Sequence, residues 1–259
     1  MDPVRKIADA VLYEGYLLWP YRGSAMKNQR RWTFGGVYPG AHSAEHPDDA
    51  CRMRTECLLH SGTVDDVEVM VRFLHVVTVG DREEAIEREL APGPVAIAAG
   101  PGCERLEGSI DVSGEGGRIV VEITNTTPWD GGPREAVLRR TFCSTHTILR
   151  TRRGRFLSAT ESPDCRNVGT WPVLIGDDTT VLSSPIILED HPRVAPESPG
   201  DLFDGGEIDG LLTLSIMSLT DAEKAEIRAG DPRARAILER TESLTREQLM
   251  RLHGFRVER

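Results

Sequence analysis

The chain has 259 residues, enough for one large β-rich domain or a domain with an appendage. Hydrophobic residues make up 39% and charged residues 28%, so a core forms while much of the chain is loop or solvated surface. The net charge of −10 excludes a global basic field for nucleic acid, and no apolar run approaches the roughly 18 residues that a membrane helix needs.

The N-terminus lacks the pattern of an export signal: acidic residues interrupt its apolar stretch and no small-residue cleavage site follows. The five cysteines, at 51, 57, 103, 143 and 165, are therefore expected as reduced thiols in a cytoplasmic protein.

Asp2 as N-cap and Pro3 at the first helical position predict a helix that ends near Gly15. Val4, Ile7, Ala8, Val11 and Leu12 form its apolar stripe. Tyr16 to Tyr21 reads as a buried aromatic crossing. Lys27, Arg30, Arg31 and Trp32 follow as a basic-aromatic segment, then a Gly/Pro-rich connection runs to about residue 50.

Strands dominate from Thr55. Asp66 to Val79 alternates Val67, Val69, Val71, Phe73 and His75 with period two. Asp81 to Leu90 is highly charged and reads as an exposed turn or short helix. Leu106 to Val112 and Arg118 to Thr126 flank Ser113-Gly114-Glu115-Gly116-Gly117, the clearest hairpin pattern. Ala136 to Leu149, Arg155 to Ala159, Trp171 to Ile175 and Val181 to Leu188 add strands.

After Asp190 the chain becomes acidic and proline-rich, which opposes a sheet ladder. Thr220 with Glu223 and Thr245 with Gln248 form capping boxes, and Gly230 and Gly254 are stops. The pattern predicts an α+β protein: a mainly antiparallel β core, sandwich or barrel-like, with an N-terminal helix and a C-terminal helical tail. Residues 1–190 make the helix plus core, 191–218 an acidic arm and 219–259 the tail.

Candidate chemistry is sparse. His42, His46, Cys51 and Cys57 are potential zinc ligands, but their spacing is loose and no CxxC occurs. Cys143 and His146 are the candidates for a nucleophile or ligand pocket. Regular alternation places Cys143, Thr145 and Thr147 on one face and Ser144 and His146 on the other, so a Cys143–His146 dyad is awkward within a regular strand. The glycine pairs carry no P-loop lysine and read as turns. The carboxylates of the arm, Asp201 and Asp204 among them, lack the rigid spacing that glycosidase chemistry needs. With Tyr21, Arg22, Lys27, Arg30, Arg31 and Trp32, those two aspartates are expected to contact a protein partner. No cofactor, nucleic acid or membrane insertion is expected.

The phrases IADAVLYEGYLLWPYRGSAMKNQRRWTFGGVYP, STHTIL, NVGTWPVLIG, SSPIILEDHPRVAPESPGDLFDGGEIDG, LTLSIMSLTDAEKAE and DPRARAILER span most of the chain. Together they resemble a bacterial, mainly actinobacterial, family encoded near nickel–iron hydrogenase genes. That family has no established catalytic residues, so none is carried over. The resemblance implies accessory work in hydrogenase maturation or assembly. The chain has no His-rich tract, CxxC pair or iron–sulfur cysteine spacing, so scaffolding is expected ahead of metal delivery or electron transfer.

Overall fold

The computed structural model describes residues 3–12, 35–80, 82–192, 216–229 and 232–245. Contacts divide the chain into two compact units, Met1–Arg31 with Arg193–Arg259, and Trp32–Pro192.

The larger unit holds ten strands: β1 (Arg52–His60), β2 (Val67–Val79), β3 (Arg82–Leu90), β4 (Gly93–Ile97), β5 (Leu106–Glu115), β6 (Arg118–Asn125), β7 (Cys143–Thr151), β8 (Arg155–Phe156), β9 (Trp171–Ile175) and β10 (Asp177–Ser184). They form two five-stranded antiparallel sheets, ordered β4-β5-β6-β1-β8 and β3-β2-β7-β10-β9. Alternation turns one face of each sheet inward. Met53 and Leu59 of β1, Ile119 and Ile123 of β6, and Val71 and Phe73 of β2 join one buried cluster with Leu149 and Val181. The Phe73 and Phe142 rings stack in it at 4.7 Å. Each such side chain contributes about 1.5–3 kcal/mol by leaving water. The fold is thus a β-sandwich, within the expected α+β class.

The β5–β6 hairpin turns on Gly116 and Gly117, with φ 59° and 81°. Two successive left-handed residues make the tight turn whose twist matches the flanking strands, and glycine adopts it without strain.

Two local expectations are corrected. Residues 82–90 form a strand, not a turn or helix, paired with β2 from Val79↔Arg82 to Val71↔Leu90. Cross-strand arginines explain how so many charges sit in a ladder. Arg72 pairs with Glu87 and lies 3.5 Å from Glu89, and Arg139 holds Glu83 at 2.8 Å. Its charges also suit an edge position, where they discourage pairing with another sheet. The second correction lies within Ala136 to Leu149, where a short helix, α3 (Arg134–Leu138), precedes β7. Pro133 at its start and Glu135 in its first turn favour that helix. A further short helix, α2 (Gly40–Glu45), begins after Pro39 in the Gly/Pro-rich connection.

In the smaller unit, α1 (Pro3–Leu12) buries Val4, Ile7, Ala8, Val11 and Leu12, the expected stripe. Two more helices, α4 (Asp221–Ala229) and α5 (Pro232–Glu242), pack Ile227 and Leu238 with Ile216. The Thr220 capping box is formed: Thr220 N donates to Glu223 Oε2 at 2.8 Å, and Glu223 N donates to Thr220 Oγ1 at 3.3 Å. Arg228 and Lys224 of α4 hold Glu242 of α5 at 2.6 and 3.4 Å. The aromatic crossing, the basic-aromatic segment, residues 193–215 of the acidic arm and Gln248 of the second capping box lie outside the described residues. Among the described residues no helix is long and apolar enough to cross a membrane.

Candidate functional site

Tyr21, Arg22, Lys27, Arg30, Arg31, Trp32, Asp201 and Asp204, expected at a partner surface, all lie outside the described residues. The remaining candidates fall at separate places on the sandwich.

His42 on α2 and His46, the residue that caps its C-terminus, stack at 4.2 Å with nearly parallel rings. His42 Nε2 bonds Asp49 Oδ2 at 2.9 Å. Arg134 of α3 donates to the same Asp49 oxygen at 3.2 Å and to the Tyr38 hydroxyl at 3.0 Å. The Trp129 ring meets His42 edge-on at 6.0 Å. Burial, opposed by Arg134, pushes the Tyr38 hydroxyl up to about 12, so it stays a neutral phenol. Burial pushes Asp49 up as well, but the bonds from His42 and Arg134 outweigh it and hold the carboxyl below its usual range. The knot ties the α2 loop to α3. Cys57 is remote from it, buried in the sandwich core, where desolvation pushes its thiol far up. Among the described residues, no three His, Cys, Asp or Glu side chains are grouped to hold a metal ion.

The alternation expected around Cys143 and His146 is overturned by a β-bulge. Leu74 opposes Cys143 and Arg72 opposes His146, so β7 spends one residue more than β2. Ser144, at φ 51°, sits at the bulge. Cys143 and His146 consequently share the face turned away from Phe73. Both side chains are fully buried and bonded separately. The Cys143 thiol donates to Leu138 O at 3.7 Å, and His146 Nδ1 donates to Ser144 O at 3.1 Å. Desolvation raises the thiol far above its ordinary value and drops His146 to about 3. The pair is a neutral thiol and a neutral ring, each bonded to a backbone carbonyl and not to the other.

A cavity of about 10 Å³ lies beside Cys57, Ser162, Cys165, Asn167, Leu174 and Val181. That is room for roughly one water.

Two features escaped the sequence reading. At one end of the sandwich, Cys103 Sγ lies 3.7 and 3.9 Å from the two ring nitrogens of His75 and 3.8 Å from Arg88 Nη2. His75 and Cys103 are 28 residues apart and belong to different sheets' strands and loops, so no local spacing announces them. At the open end of the β9–β10 ladder, Trp171, Val168 and Ile187 are 45%, 44% and 72% exposed. Register places Trp171 opposite Ser184, so the chain enters past Val168 and leaves toward Ile187 at the same end.

β9 is an edge strand. Its outward-facing backbone is nevertheless occupied. Pro172 has no N–H, Leu174 N donates to Asp190 Oδ1 at 2.8 Å, and Leu174 O accepts from His191 N at 2.7 Å. A further strand cannot add there, and contact falls to the exposed side chains. Compared with known proteins, the chain matches no family model and no curated relative.

Proposed function

We propose that this chain is a non-enzymatic accessory protein of a nickel–iron hydrogenase, serving maturation, assembly or scaffolding through protein–protein contacts in the cytoplasm. The family resemblance supports the hydrogenase, and the exposed trio Val168, Trp171 and Ile187 is the observation that supports a docking role. Tryptophan joins a large apolar body to one polar N–H, which makes it a frequent anchor of protein contacts. An edge already closed to strand addition turns that anchor into a side-chain docking point. The alternative of a ligand pocket or enzyme site at Cys143 and His146 gains no support from two sealed, neutral groups.

The test is tagged-protein purification from the native host, read by mass spectrometry. Hydrogenase subunits or maturation factors are expected with the wild-type chain and depleted at least about tenfold with Trp171→Ser, the loss of one anchor. Absence of any hydrogenase component, with hydrogenase activity unchanged on deletion of the gene, overturns the proposal.

A further inference from the structure

Cys103 closes a tight turn between β4 and β5. Gly100 N and Cys103 N each donate to the other's carbonyl, at 2.9 and 3.0 Å, and Thr78 N donates to Gly102 O at 2.7 Å. These bonds hold the thiol against the end of β2. There it meets His75, fully buried, and the Arg88 guanidinium at the distances above. Arg88 Nη2 is also 3.4 Å from His75 Nδ1, while Arg88 Nε is buried and makes no hydrogen bond among the described residues. The guanidinium charge is thus incompletely compensated beside the sulfur. Glu104, whose charge acts on His75, is engaged by Arg140 at 3.4 Å. Glu104 O is the other acceptor near the thiol, at 3.7 Å.

The other cysteines differ. Cys57 and Cys143 are buried. Cys165 is partly exposed and has Arg118 beside it, but burial and the carboxylates of Glu56 and Asp164 outweigh that cation and raise its thiol. Cys51 is partly exposed, and no cation among the described residues hydrogen-bonds its thiol. A partly exposed thiol beside a cation is the setting in which cysteine reacts.

We propose that Cys103, held between His75 and Arg88, is a reactive thiol that hydrogen peroxide oxidises to the sulfenic acid ahead of the other four cysteines. The sulfur attacks one peroxide oxygen, so an S–O bond forms as the O–O bond breaks. Sulfur gives up two electrons. The second oxygen leaves as hydroxide and takes up the thiol proton to become water. Arg88, 3.8 Å from the sulfur, stabilises the charge of the departing hydroxide. His75 is the hydrogen-bonding neighbour that holds the sulfur in place.

The full chain is exposed to limiting hydrogen peroxide with dimedone as the sulfenic-acid trap, and each cysteine peptide is quantified by mass spectrometry. Cys103 is expected to label at least about tenfold faster than Cys51 or Cys165. Arg88→Gln is expected to slow Cys103 by about tenfold and leave Cys51 unchanged, with thermal melting reporting whether the variant folds. Equal labelling of Cys103 and Cys51 in the unmodified protein overturns the proposal without any variant, and so does a folded Arg88→Gln protein whose Cys103 rate is unchanged.

Discussion

Cys143 and His146 are three residues apart yet share one face of β7, because Leu74 and Arg72, their partners on β2, are only two apart. The extra residue is absorbed at Ser144, whose φ of 51° is costly for any side chain and worst for a β-branched one. Ser144→Ile is therefore expected to destabilise the protein by about 1–3 kcal/mol. Ser144→Gly is expected to cost less, since glycine adopts that conformation freely. Urea unfolding of the two variants checks the order; an equally stable isoleucine variant means that the bulge is not where the register places it.

Asn125 is buried where β6 ends and joins three chain segments. Its Nδ2 donates to Val37 O and to Arg140 O, both at 2.8 Å, and its Oδ1 accepts from Thr127 N at 2.9 Å. No other residue type of that size offers two donors and an acceptor in this arrangement. Asn125→Leu leaves Arg140 O and Thr127 N to be satisfied elsewhere, while Val37 O keeps its bond from Phe142 N, and is expected to cost about 2–4 kcal/mol. A shift of the urea midpoint with an unchanged m-value is the expected reading.

Strand alternation made the sandwich legible wherever local pattern and tertiary packing agreed. Val69, Val71 and Phe73 read as an inward face and are one. Trp171 to Ile175 reads as a strand with the bounds that β9 has. The failures share a cause, namely partners distant in sequence. Glu83, Glu87 and Glu89 read as a solvated turn, because the arginines that receive them lie on β2 and after α3. The bulge at Ser144 is invisible to alternation, which counts residues and not partners. His42 and His46 were visible as a pair, but Asp49, Arg134 and Tyr38, which fix the former, were not. Cys103 stands alone in sequence and gains His75 and Arg88 only when two strands and a turn converge.

Two buried histidines set the acid response. Burial, with the Arg88 charge second, drops His75 from 6.5 to about 4, and burial drops His146 from 6.5 to about 3. Both rings are thus easier to protonate in the unfolded chain. The stability they contribute is fully present above pH 6.5 and is lost as the pH falls from 6.5 toward 4 and 3. Each histidine withdraws about 1.4 kcal/mol per pH unit across its window. Urea midpoints at pH 7.5, 6.5, 5.5 and 4.5 are expected to fall progressively, and His146→Gln is expected to fall less steeply. Ring resonances of His75 or His146 that titrate near 6.5 in the folded protein sink this account.

Gly102 carries the turn that presents Cys103. Its φ of +67° favours glycine, and a Cβ there would overlap the carbonyl oxygen of Thr78. The clash is with backbone, so no rotamer relieves it. The same residue accepts the bond from Thr78 N that fastens the turn to β2. Gly102→Ala must then either break that bond and swing the turn outward or strain β2 at Thr78. A loss of about 3 kcal/mol is expected. The two responses separate at Cys103. A turn that swings out takes the thiol away from Arg88 and slows its reaction with peroxide, whereas a strained but seated turn keeps the rate and lowers only the melting temperature. Unchanged stability together with an unchanged Cys103 rate contradicts the close approach of Gly102 to Thr78, and with it the positioning of the thiol.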